Sequence, residues 1–152
     1  MKRRTLLQGA LLGLLAPIAA YAQTQPVIDV YKTPSCGCCK DWVTHLEQSG
    51  FKVIAHDVPT TKPYRDRFGV PAELYSCHTA FIDGYAIEGH VPAAEIKRLL
   101  KERPKALGLS VPGMPVGSPG MEVEGTRRDA YDVVLFAENG SRKVFRSYTA
   151  QP

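Results

Sequence analysis

Beyond residue 22 the sequence lacks any apolar run of the roughly 18 residues that a membrane-spanning helix needs. It also lacks a block of like charge, a long low-complexity tract and an internal repeat. Those absences argue against a nucleic-acid-binding stripe, a disordered chain and a solenoid. Tryptophan occurs once and cysteine only four times in 152 residues. What is present is an ordinary globular composition, 44% apolar and 22% charged, which fits one domain. The 12 prolines and 13 glycines require prominent loops.

The formal charge of +4 is concentrated at the start of the chain. Lys2, Arg3 and Arg4 precede an apolar stretch from Leu6 to Ala20, and Ala20-Tyr21-Ala22 forms a small-x-small site. That layout is a secretory signal peptide, residues 1–22, cleaved before Gln23. Pro17 and the short length argue against a membrane anchor. Arg3-Arg4 followed by Thr5-Leu6-Leu7 also resembles a twin-arginine signal, and either route leads out of the cytoplasm. Removal of the leader leaves 16 basic residues against 15 acidic, scattered among one another. A mature domain over residues 23–152 is therefore expected to be soluble and periplasmic, with no nucleic-acid partner and no membrane attachment.

Pro26–Tyr31 reads as a strand, about Cys38–Ser49 as a helix with Trp42, Val43 and Leu46 at helical spacing, and Phe51–Val58 as a second strand. Thr60 or Thr61 caps a short helix that ends near Gly69. Asp83-Gly84 between Thr79–Ile82 and Tyr85–Glu88 marks a two-residue hairpin. Pro92 opens a further helix with Ala93, Ile96, Leu99 and Leu100 on one face. The order is β-α-β-α-β-β-α, an α/β fold of thioredoxin-like type. Residues 107–152 form a C-terminal extension: a Pro/Gly/Met loop over 107–121, which can be neither a regular helix nor a central strand, then a hairpin turning at Asn139-Gly140.

Three of the four cysteines fall within four residues, in Cys36-Gly37-Cys38-Cys39, at a strand-to-helix junction. A thiol there faces unpaired backbone N–H groups and the positive end of the helix dipole, which favour the thiolate. Cys36 and Cys39 in C-x-x-C spacing within a βαβ pattern are a redox signature. Two structural disulfides fit poorly, because neighbouring residues lie too close to bridge comfortably and Cys77 is the only distant partner. The thioredoxin-like alignment places His78 just before the third strand, with Cys77 before it, so that four sulfurs and an imidazole converge. A dithiol oxidoreductase needs two cysteines, and a third and fourth thiol would promote wrong disulfides. Clustered Cys with His and nearby Met is a soft set that suits Cu(I). Bridging thiolates can serve several ions, whereas Cys38 and Cys39, as neighbours, cannot both easily point at one. A zinc site is the less favoured metal reading. Met114, Met121 and His90 are secondary candidates; His45 and His56 have no partner at ligand spacing, and Trp42 reads as core.

The run Thr33-Pro34-Ser35-Cys36-Gly37-Cys38-Cys39, the pair Cys77-His78, and Val111-Pro112-Gly113-Met114-Pro115-Val116-Gly117-Ser118-Pro119-Gly120-Met121-Glu122 together resemble the CopG family of bacterial periplasmic copper-resistance proteins. The resemblance implies a thioredoxin-like fold holding a cysteine-bridged, multinuclear copper centre, and a part in copper detoxification through a change in the metal's oxidation state. By position it carries the cysteine-ligand role to Cys36, Cys38, Cys39 and Cys77, with His78 in the same motif. The leading expectation is thus a copper-binding protein that holds several Cu(I) ions, served by an electron- or copper-transfer partner in the periplasm. The alternative is a thiol-disulfide oxidoreductase with Cys36 as nucleophile and Cys39 as resolving thiol.

Overall fold

The computed structural model describes residues 26–152. The reading of residues 1–22 as an export signal lies outside the described residues. Strand β1, Val27–Lys32, alternates half-buried and buried positions, and sends Ile28, Val30 and Lys32 to one face. Helix α1, Gly37–Gln48, follows and buries Cys39, Trp42 and Leu46 against that face. Their spacing of three and four residues puts all three on one stripe. Gly50, with φ of +88°, turns the chain into β2, Lys52–Asp57, which lies parallel to β1. Helix α2, Lys62–Phe68, closes on Gly69 in the left-handed region, and a 3-10 turn spans Ala72–Leu74.

Strands β3, Thr79–Ile82, and β4, Tyr85–Glu88, form the expected hairpin. Its turn residues Asp83 and Gly84 have φ of 48° and 91°, the pair of positive values that a tight type I′ turn requires. Helix α3, Ala93–Glu102, buries Ala93, Ile96 and Leu99. The remaining strands are β5, Gly108–Ser110, β6, Tyr131–Phe136, and β7, Arg142–Tyr148. All seven form one sheet in the order β2-β1-β3-β4-β5-β6-β7, whose first four strands with the three helices are the thioredoxin-like core.

Strand β5 corrects the sequence reading. The loop over 107–121 is expected from its sequence to contain no central strand, yet β5 lies between β4 and β6 and pairs with both. Proline excludes a strand only where it stands, and the first proline is Pro112, past the end of β5. Gly108 makes the pairing close: a Cβ there would overlap the Ala86 carbonyl of β4. Residues 107–152 accordingly prolong the same sheet.

The sheet has a core on each face. Trp42, Leu46, Ile96 and Leu99 from α1 and α3 cover Ile28, Val30, Ile82, Ile87 and Leu109. On the other face Val70 and Leu74 pack with Ala86 and Phe136. Adjacent Ala86 and Ile87 point to opposite sides, as strand geometry demands. Among the described residues no helix is long and apolar enough to cross a membrane.

Candidate metal centre

The N-terminus of α1, the segment before β3, the segment after β4 and the Pro/Gly/Met loop meet at one end of the sheet. Cys36 is the N-cap of α1, with its N–H bonded to Thr33 O at 3.2 Å. No side chain caps this helix, so its first-turn N–H groups face the cysteine cluster. Cys36 and the fully buried Cys39 form a disulfide, their Cα atoms 5.3 Å apart. Cys38 and Cys77 are free and half-buried. Cys38 Sγ lies 3.6 Å from Cys36 Sγ and 3.9 Å from Cys77 Sγ, and the four sulfurs all lie within 4.8 Å of one another.

A second triad shares Cys77. Its Sγ is 3.2 Å from His78 Nδ1 and 3.0 Å from His90 Nε2. Both imidazoles are fully buried, and their rings meet edge to face with centroids 5.0 Å apart. His90 Nδ1 lies 2.8 Å from the Pro119 carbonyl, which can only accept, so Nδ1 carries the hydrogen and Nε2 turns a lone pair toward Cys77. His78 rests against Trp42, and its Nε2 is buried without a hydrogen-bond partner.

Burial dominates the protonation of this end of the molecule. It pushes the Cys77 thiol up to about 12, with the neighbouring Cys38 charge adding to the effect. Burial, then repulsion from His90, holds His78 well below the usual imidazole range, and burial lowers His90 too. Two neutral imidazoles are metal-ligand forms, and a soft cation could offset what a Cys77 thiolate would otherwise cost.

The structure brings Cys36, Cys38, Cys39, Cys77 and His78 together and adds His90. The signal for His90 is in the hairpin register. Thr79 pairs with Glu88, so continuing the antiparallel register two residues outward sets Cys77 opposite His90. Met114 is 52% exposed, while Met121 is half-buried in a turn closed by its N–H to Ser118 O at 2.8 Å. The loop reaches α1 through Gly120, where a Cβ would lie 2.7 Å from Cys38 O. His45 and His56 are engaged elsewhere: His45 Nε2 accepts the Ala93 N–H at 3.1 Å, and His56 Nε2 pairs with Asp29 at 2.8 Å.

Fold and site together define a thioredoxin-like domain whose cysteines and histidines make a group able to hold metal. Residues 74–121 match a family model described as a protein of unknown function, DUF411. Two solved structures of a copper resistance protein CopG, forms 2 and 1, are each 49% identical to this chain with a TM-score of 0.77. Each match covers 82% of this chain, and 98% and 99% respectively of the solved chains. No curated protein matches. The chain belongs to the copper resistance protein CopG family.

Proposed function

We propose that the protein binds copper as Cu(I) in the periplasm, holding more than one ion through bridging thiolates, and so serves copper resistance. The observation that carries this reading is the packing of four cysteine sulfurs within 4.8 Å of one another. The donor set fits the metal, because thiolate sulfur and imidazole are ligands that Cu(I) favours. Cys36, Cys38, Cys39 and Cys77 would supply the sulfurs. His90 offers the Nε2 lone pair that faces Cys77, and the unpartnered nitrogen of His78 is a further donor. The triad of Cys77, His78 and His90 favours copper over a tetrahedral all-cysteine zinc site, which would leave these imidazoles unused.

The Cys36–Cys39 disulfide sets the capacity of the site. A thiol reductant that delivers two electrons, with two protons, converts it to two thiols and doubles the free sulfur count from the two of Cys38 and Cys77. A periplasmic electron-transfer partner would act at this step, and a copper-transfer partner would act on the reduced site that it leaves. The same disulfide favours a second reading, thiol-disulfide exchange with Cys36 as nucleophile and Cys39 as resolving thiol.

Anaerobic Cu(I) titration of the fully reduced protein, with metal analysis of the product, separates the two. Two or more Cu(I) per chain is expected. Fewer than two sinks the cluster, and insulin reduction by a protein indifferent to copper establishes the exchange reading. Cell fractionation tests the compartment.

A further inference from the structure

Cys77 and His78 sit between the 3-10 turn and β3, on backbone that belongs to no strand. The Ser76 backbone next to them is held at both its N–H and its carbonyl by a buried ion pair. Ser76 N–H donates to Glu88 Oε1 at 2.7 Å, and Arg65 Nη2 donates to the Ser76 carbonyl. Arg65 Nε closes the ring by donating to the same Glu88 oxygen at 2.9 Å. Glu88 is fully buried and Arg65 is 8% exposed. Taking both charges out of water is costly, and an apolar pair would fill the space with less penalty. The pair therefore calls for a use beyond packing.

Its placement supplies one. Glu88 closes β4 two residues before His90, and grips the chain one residue before Cys77. The intervening Gly89 has φ of +72°, and a Cβ on it would lie 2.6 Å from both Ser76 Cβ and Ser76 Oγ. Its N–H donates to the His78 carbonyl at 3.1 Å. The two segments of the site are thus locked together where Cys77 meets His90. Arg65 anchors that lock to α2, on the opposite face of the sheet from α1.

We infer that Arg65 and Glu88 are positioning residues of the site, fixing Cys77 at contact distance from His90 through the Ser76 backbone. This inference rests on the copper reading for its functional consequence. The reduced apo-protein still tests it if that reading fails.

The perturbation is Arg65→Met with Glu88→Leu, an apolar replacement of a kind that buried pairs usually tolerate in stability. In the reduced apo-protein, iodoacetamide labelling of Cys77, followed by peptide mass spectrometry, should run about tenfold faster, because two backbone hydrogen bonds are lost. The Cu(I) dissociation constant, from competition with a chromogenic chelator, should rise about 10- to 100-fold, as for other outer-shell ligand supports. The same double substitution in a Cys77→Ser background should cause no further rise. Equal weakening in both backgrounds would mark a merely structural role and overturn the inference, as would wild-type labelling and affinity. A wild-type chain that takes up no Cu(I) overturns the copper reading, and the labelling ratio then decides the positioning role alone. If the double variant does not fold, Arg65→Lys, which keeps a cation beside Glu88 and the Ser76 N–H bond to Glu88, removes the planar guanidinium that reaches both Glu88 and the Ser76 carbonyl. Faster labelling then supports the clamp, and an unchanged rate overturns it.

Discussion

Replacing Gly120 by alanine should loosen the candidate metal centre without replacing any proposed ligand. Gly120 has φ of +83°, and its Cβ would lie 2.7 Å from Cys38 O, 2.7 Å from Trp42 N and 3.1 Å from Trp42 Cα. Those atoms are backbone of α1, so the loop must retreat, by about 0.7 Å to reach ordinary contact distance. The peptide that moves joins Pro119 to Gly120. Its carbonyl accepts the His90 Nδ1 hydrogen bond at 2.8 Å, and its N–H donates to Glu122 Oε2 at 2.6 Å. The left-handed conformation costs an L-residue about 1 kcal/mol. Loss of the His90 bond and the crowding add about 2 kcal/mol. Gly113→Ala is the internal control: it lies in the same loop at φ of +69° with nothing within 4 Å of its Cβ, so it carries only the backbone cost. At about 4 °C per kcal/mol for a domain of this size, the apo-protein should melt about 12 °C lower with Gly120→Ala and about 4 °C lower with Gly113→Ala. Circular dichroism melts measure both. Only Gly120→Ala should also weaken Cu(I) binding, because it frees the His90 ring. Equal melting shifts in the two variants, or unchanged affinity in Gly120→Ala, would refute the claim that this loop holds His90 in register.

Three further outcomes follow from the same geometry. Protein kept oxidised at Cys36–Cys39 should take up no more than one Cu(I), since only Cys38 and Cys77 remain as free sulfurs, and thiol reduction should raise the count to at least two; identical counts in both forms refute disulfide control. Burial holds the Cys77 proton in the folded state up to about 12, above the ordinary thiol range of about 8.5, so the folded state binds this proton more tightly than the unfolded state. Its contribution to stability is full below about pH 8.5 and is lost as pH rises toward 12. Wild type should therefore lose more stability than Cys77→Ser between about pH 8.5 and 10.5 in denaturant melts, and parallel profiles would contradict the shift. Gly108→Ala should cost about 3 kcal/mol or more, because the new methyl meets the Ala86 carbonyl and β5 must leave β4; a melt within about 2 °C of wild type would show that the strands can part without penalty.

The core was legible because its signals are local. Ile28 and Val30 alternate, Trp42 and Leu46 repeat at helical spacing, and Asp83-Gly84 fits one turn type. Strand β5 was not, because Gly108–Ser110 is too short to show a period and owes its place to contact with Ala86. The four cysteines were legible as a site once the strand-helix junction and the residue before β3 were superposed. His90 needed the pairing register carried past the end of the hairpin. Arg65 and Glu88 carry no local mark: each looks like a solvated charge on its element, and only tertiary placement buries them against Ser76.

Two cysteines would suffice for disulfide exchange, and the surroundings of the other two tell against it. An exchanging protein needs its nucleophile open to a partner's disulfide. Here Cys38 stands against Cys36, and Cys77 stands against Cys38 with two neutral, buried imidazoles behind it. Those imidazoles do not favour a reactive Cys77, since burial keeps its proton on to about 12. A group held this firmly protonated is a poor nucleophile at neutral pH, but it yields its proton to a cation that binds sulfur strongly. The orphaned ring nitrogen of His78 is costly in an apo-protein, and it would become a favourable donor, with the neutral His90 ring and the deprotonated Cys77 sulfur, once a soft cation occupied the site. The arrangement therefore supports the proposed metal capture over thiol exchange, with the Cys36–Cys39 pair in the proposed role of governing when capture is open.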